Sequence, residues 1–143
     1  MNNPSRILVA VDGSACADNA FESASDLAKQ FDSKLYAICV VHVPWLLGVD
    51  KEIAPAIERQ LETEAQLTLS KYYTLAKSRH GIEFEAIVAK GRPQQIIVDT
   101  AKVKDIDLIV IGSRGLSGVK GLFLGSVSHD VVRIAKQPVL VVR

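Results

Sequence analysis

Apolar residues in this chain cluster in five short runs, and between the runs they recur with helical spacing. Arg6 to Val11 (RILVAV) is aliphatic and β-branched without alternation, as in a strand covered on both faces. The DGS that follows breaks it, and Ala17, Ala20, Phe21, Ala24, Leu27, Ala28 and Phe31 then mark one face of a helix, with Ser14 placed as its N-cap. Leu35 to Val43 (LYAICVVHV) predicts a second buried strand stopped by Pro44, which has no donor for a ladder. The segment PWLLGVDKEIAP is irregular. Ile53, Ile57, Leu61, Ala65, Thr68, Tyr72 and Ala76 then outline a long helix expected to stop near His80-Gly81, where glycine suits a left-handed cap.

Ile82 to Ala89 (IEFEAIVA) alternates at its start and predicts a more exposed strand. Gly91-Arg92-Pro93 turns the chain, and Pro93 fits the first position of a helix carried by Ile96, Ile97, Thr100 and Ala101. Leu108 to Ile111 (LIVI) reads as a fourth strand. Val127, Val131, Ile134 and Ala135 outline a last helix, and Val139 to Val142 (VLVV) a final strand. Regular alternation of strand and helix predicts one α/β domain over residues 1–143, a doubly wound, five-stranded parallel sheet with helices on both faces. A strand order of 3-2-1-4-5 would make neighbours of the two loops that follow the first and fourth strands. Ligands of such sheets bind at the carboxyl ends of the strands, where the order reverses.

Composition narrows the classes of function. The 17 Lys and Arg balance 16 Asp and Glu, for a net charge of +1. No basic face is indicated, which argues against nucleic acid or an anionic membrane as partner. No run approaches the roughly 20 apolar residues of a membrane helix. The first residues lack the pattern of a secretory signal, and Cys16 and Cys39 show neither a CxxC nor a zinc spacing. The expectation is a cytoplasmic chain with two unpaired cysteines.

Candidate chemistry concentrates in the segment from Ile111 to Asp130, IGSRGLSGVKGLFLGSVSHD. Small residues leading into a helix N-terminus expose amides and the positive end of a helix dipole, and both favour phosphate. Gly112 and Gly115 would allow close backbone approach or a positive φ, while Ser126 adds a hydroxyl beside Gly125. A surface loop whose glycines serve only turns is the competing reading. Asp12 suits a metal ion or a ribose hydroxyl, or alternatively a cap on the first helix. Arg114 and Lys120 could neutralise phosphate charge or be solvated, the latter being the reading for Lys120; His42 near the strand end could touch a ligand but is read as packing, and His80 as a helix-end residue. Trp45, Leu46 and Leu47 form an apolar tip after the second strand. His42, His80 and His129 have no metal-site spacing. Neither a Walker A loop nor GxGxxG fits.

The pattern Gly112-x2-Gly115-x9-Gly125-Ser126 resembles the ATP-binding signature of the universal stress protein family. The resemblance extends through ILVAVDGS, the VVHV strand end, GRPQQIIVDTA, DLIVIGSRG, GSVSHDVV and the terminal PVLVV. It implies a fold like that of the adenine nucleotide alpha-hydrolases, with adenine near Ala10, Val11 and the backbone of Val43. Asp12 would lie near the ribose or a Mg²⁺ carried by the nucleotide. Gly112, Ser113, Arg114, Gly115, Leu116, Ser117 and Gly118 would wrap the phosphates, with Gly125, Ser126 and Val127 closing the far side. The resemblance places the chain with ATP binders, ADP and AMP being further candidates, and admits phosphorylation of a loop serine.

The residues supply a holder for phosphate without an evident base, so binding with slow or no hydrolysis is expected rather than fast catalysis. A nucleotide-responsive stress regulator is one reading. Others are an interaction module indifferent to nucleotide, and a genuine slow ATPase or kinase. The apolar last strand, Val139 to Arg143, predicts a homodimer, since proteins seldom leave such an edge bare. A further protein partner is expected but not named by any motif.

Overall fold

A computed structural model describes residues 2–42, 48–115 and 124–143. Its strands are β1 (Arg6–Ala10), β2 (Lys34–Val41), β3 (Phe84–Lys90), β4 (Leu108–Gly112) and β5 (Val139–Val142), and its helices α1 (Ala15–Phe31), α2 (Ala54–Leu75), α3 (Pro93–Val103) and α4 (Ser126–Ile134). All strand pairs are parallel, in the order β3-β2-β1-β4-β5. This is the order expected, and the direction of winding reverses between β1 and β4.

Strand alternation divides the interior into two layers. Ile7 and Val9 of β1 pack with Phe21, Ala24, Leu35, Tyr72 and Phe84, beneath α1 and α2. Leu8 between them faces the other way, with Ile38, Ile97, Ile109 and Val131, beneath α3 and α4. β1 and β4 therefore read as unbroken aliphatic runs because both faces are covered.

Local chemistry sets the ends of the elements. Ser14 caps α1, its hydroxyl accepting the Ala17 amide at 3.2 Å. β2 stops at Val41, before His42, and Pro44 lies outside the described residues. Beyond Leu75 the long helix widens into a π-helical turn, Ala76–His80, closed by Gly81 at φ 64°. His80 is more than a helix-end residue: its ring is nearly buried, with Nε2 2.8 Å from Glu22 and Nδ1 3.3 Å from Asp26. Arg79 also donates to Glu22 at 3.0 Å. Burial pushes the Glu22 carboxyl up, but hydrogen bonds from His80 and Arg79 outweigh this and hold it below its ordinary value. The Tyr72 hydroxyl donates to Asp18 at 2.5 Å, a second tie between α1 and α2.

Gly112 decides how closely α1 approaches the end of β4. A Cβ there would stand 2.8 Å from the Cys16 carbonyl carbon and 3.0 Å from the Ala17 nitrogen. These are backbone atoms, which cannot swing aside as a side-chain tip can. Gly112→Ala is therefore expected to destabilise the fold by about 1–3 kcal/mol, the usual cost of overpacking. Urea unfolding checks this, and an unchanged midpoint would show that α1 has slack to retreat.

Candidate functional site

The carboxyl ends of β1, β2 and β4 and the first turns of α3 and α4 enclose a crevice of about 480 Å³. It lies where the strand order reverses, and its volume falls in the range of small-molecule sites. One wall is apolar: Ala10, Ile38, Val40 and Ile97. The other is backbone and polar: Asp12, Gly112, Arg114, Gly115, Gly125 and Ser126.

Of the residues predicted for a site, Ala10, Val11, Asp12, Gly112, Arg114, Gly115, Gly125, Ser126 and Val127 all line this crevice. Val43, Leu116, Ser117 and Gly118 lie outside the described residues, as do Trp45, Leu46, Leu47 and Lys120. Ser113 is buried beside the crevice, with its hydroxyl 3.7 Å from the Cys16 sulfur.

Asp12 has a structural role at the start of α1. Its Oδ1 accepts the Ser14 amide at 2.9 Å, bracing the turn into α1. Its Oδ2 lies toward the glycine-rich segment, 2.8 Å from where a Cβ on Gly115 would sit. A carboxylate that lines the crevice and faces a residue without a side chain suits a ribose hydroxyl or a nucleotide-borne Mg²⁺.

The glycines differ in purpose from the expectation. None of Gly112, Gly115 and Gly125 has a positive φ. Gly112 admits the start of α1 where it lines the crevice. Gly125 admits the Ser113 carbonyl, which a Cβ would meet at 3.3 Å. Two amides expected to face an anion are instead bonded within the protein. Ser113 donates to Val142, continuing the β4–β5 ladder, and Gly125 donates to Ser113, both at 2.7 Å. Arg114, Gly115 and the first turn of α4 also line the crevice. In that turn Ser126, Val127 and Ser128 precede the first intrahelical bond, from His129 to Gly125, so their amides are the ones a helix leaves for a ligand or water.

Several lining residues carried no signal in the sequence. Pro93, Gln94 and Ile97 of α3 reach the crevice because every helix of a parallel sheet starts at the strands' carboxyl edge. The Gly91-Arg92-Pro93 turn was the clue to that start. His42 is exposed and lines the crevice, the alternative to the packing role preferred for it from the sequence. Among the described residues no three His, Cys, Asp or Glu side chains gather as a metal site. No described helix is long and apolar enough to cross a membrane.

A doubly wound parallel sheet with an apolar-and-backbone crevice at its switch point is the framework of the adenine nucleotide alpha-hydrolase-like proteins. The profile of the universal stress protein family matches residues 4–143, and the chain belongs to that family. It is 36% identical to universal stress protein YxiE of Bacillus subtilis, over 96% of this chain and 98% of that one. Among solved structures it is similar to universal stress protein UspA from Lactobacillus plantarum, with TM-score 0.86, 28% identity and 97% of each chain covered. Two other similar structures are complexes. One is a universal stress protein with cAMP, at TM-score 0.73 and 26% identity over 99% of this chain and 98% of that one. The other is a universal stress protein from Archaeoglobus fulgidus with dAMP, at TM-score 0.72 and 28% identity over 96% and 97%.

Cys16 and Cys39 are both free thiols. Burial, with the Asp12 charge adding to it, pushes the Cys39 thiol up to about 11. Cys39 is thus expected to stay protonated and inert at neutral pH. Titration with an aromatic disulfide reagent should modify at most one thiol in the native protein and two in denaturant. A second fast native thiol would mean that the end of β2 opens in solution.

Proposed function

We propose that this universal stress protein binds an adenine nucleotide in the crevice and works as a nucleotide-responsive regulator. The observation that carries the reading is the union of an apolar wall with a backbone-lined end in one cavity of nucleotide size. A base stacks against Ala10, Ile38, Val40 and Ile97, and a phosphate meets the Arg114–Gly115 backbone, the Arg114 charge and the first turn of α4. Asp12 takes the ribose or the Mg²⁺ of the nucleotide. The cAMP and dAMP complexes of similar proteins support an adenine nucleotide as the ligand class, and the glycine pattern favours ATP, with ADP and AMP as alternatives. A bound Mg²⁺ would neutralise phosphate charge. Turnover is slow or absent, because Asp12 is the one carboxylate among the described lining residues and it already braces the Ser14 amide. The setting is cytoplasmic, and a partner protein reads the nucleotide state.

Calorimetric titration with Mg-ATP, then ADP and AMP, is expected to give saturable binding, and silence at millimolar ligand would reject the reading. Gly115→Val should weaken binding by roughly tenfold or more. Its side chain displaces the tip of Asp12 and not backbone, so the stability loss should stay within the roughly 1 kcal/mol of the Asp12–Ser14 hydrogen bond.

A second observation favours a dimer in either nucleotide state. β5 pairs only with β4, leaving its outer edge unpaired among the described residues, and Leu140 on it is 37% exposed. Pairing of Val139–Arg143 with a two-fold copy would cover both edges. Sedimentation equilibrium at micromolar concentration should return a dimer with and without nucleotide, whereas a monomer would remove this interface from consideration.

A further inference from the structure

A single buried carbonyl pins together the two ends of the glycine-rich segment. The Ser113 carbonyl oxygen accepts from the Gly125 amide at 2.7 Å and from the Ser128 hydroxyl at 3.0 Å. Ser128 Oγ is also 3.0 Å from the Gly125 carbonyl oxygen. A hydroxyl has one proton, so Ser128 shares it between carbonyls from opposite ends of the segment. Ser113 and Ser128 are 7% and 2% exposed, so these bonds are shielded from water.

The arrangement is anchored on both sides. Ser113 donates its own amide to Val142 of β5, and Ser128 is held in the first turn of α4. Gly125 keeps the meeting of the ends free of crowding, because a Cβ would lie a tight 3.3 Å from the Ser113 oxygen. A serine in the first turn of a helix often bonds a carbonyl three residues back, and the contact with Gly125 alone would be that local habit. The bond to Ser113 spans fifteen residues of sequence and joins β4 to α4, which local structure does not require.

Arg114 and Gly115 follow the pinned Ser113, and Ser126 and Val127 follow the pinned Gly125. The clasp therefore sets the spacing between two stretches of backbone that both line the crevice, and Ser128 itself lines it beside them. We propose that Ser128 is a positioning residue for a phosphate group bound there: it holds the Arg114–Gly115 backbone in register with the first turn of α4. This rests on the nucleotide reading above.

The test compares wild type with Ser128→Ala, Ser128→Thr and Gly125→Ala by calorimetry with AMP and with adenosine, and by hydrogen exchange at the Gly125 amide. Ser128→Ala should speed Gly125 exchange and weaken AMP binding, each by on the order of tenfold, the effect of losing one buried hydrogen bond. Adenosine, which has no phosphate, should bind Ser128→Ala as it binds wild type; general loosening of the fold would weaken both ligands. Threonine keeps the hydroxyl and should restore AMP affinity, while Gly125→Ala should reproduce the defect from the other side of the clasp. Unchanged Gly125 exchange and AMP affinity in Ser128→Ala would overturn the proposal, as would equal losses for AMP and adenosine. If wild type binds neither ligand the nucleotide reading fails and the phosphate role falls with it, whereas faster Gly125 exchange in Ser128→Ala would still establish the clasp.

Discussion

In a parallel sheet every strand delivers its carboxyl end to the same edge, and every helix starts from that edge. Here the winding reverses between β1 and β4, so the chain leaves those strands toward opposite faces and a crevice remains between the departing loops. The crevice has its present form because the start of α1 lies directly against the end of β4. That contact requires position 112 to have no side chain. Ser14 and Asp12 complete the junction, one by capping α1 and the other by bracing the turn that leads into it.

The same geometry divides the labour among glycines that look alike on paper. Gly112 serves the packing of α1 on the sheet, and Gly125 lets the Ser113 carbonyl reach the base of α4. Gly115 is the one of the three whose missing side chain faces a functional group, the Asp12 carboxylate. A glycine signature can thus stand for self-packing as much as for ligand contact. Bonds such as Ser113 to Val142 connect the crevice wall with the edge strand through one peptide unit. The β5 edge and the crevice consequently share a structural element.

Electrostatics follow the same layering. Asp12 stands close enough to Cys39 to reinforce the effect of burial on that thiol, so the neighbouring sulfur is kept chemically quiet. In the first half of α1, Glu22 is shared by His80 and Arg79, and Asp18 accepts from Tyr72. These bonds tie α1 to α2 and to the π-helical turn that follows it.

Periodicity alone specified the number, order and kind of the elements, because strands buried on both faces and helices with one apolar stripe leave distinct patterns. Ser14 as a cap, Gly81 as a left-handed stop and Pro93 as a helix start were legible for the same reason: each is a local requirement of the backbone. Half of the described crevice lining was legible too, since the strand-end motifs lie in it once the order 3-2-1-4-5 is assumed. Hidden from the sequence were the contributions of Pro93, Gln94 and Ile97, the double engagement of Asp12, the bonding of the Ser113 and Gly125 amides within the protein, and the grip of Glu22 and Asp26 on His80. Each depends on groups far apart in sequence meeting at a few ångströms, a distance set by how helices seat on the sheet. Local propensity and spacing carry no record of that seating.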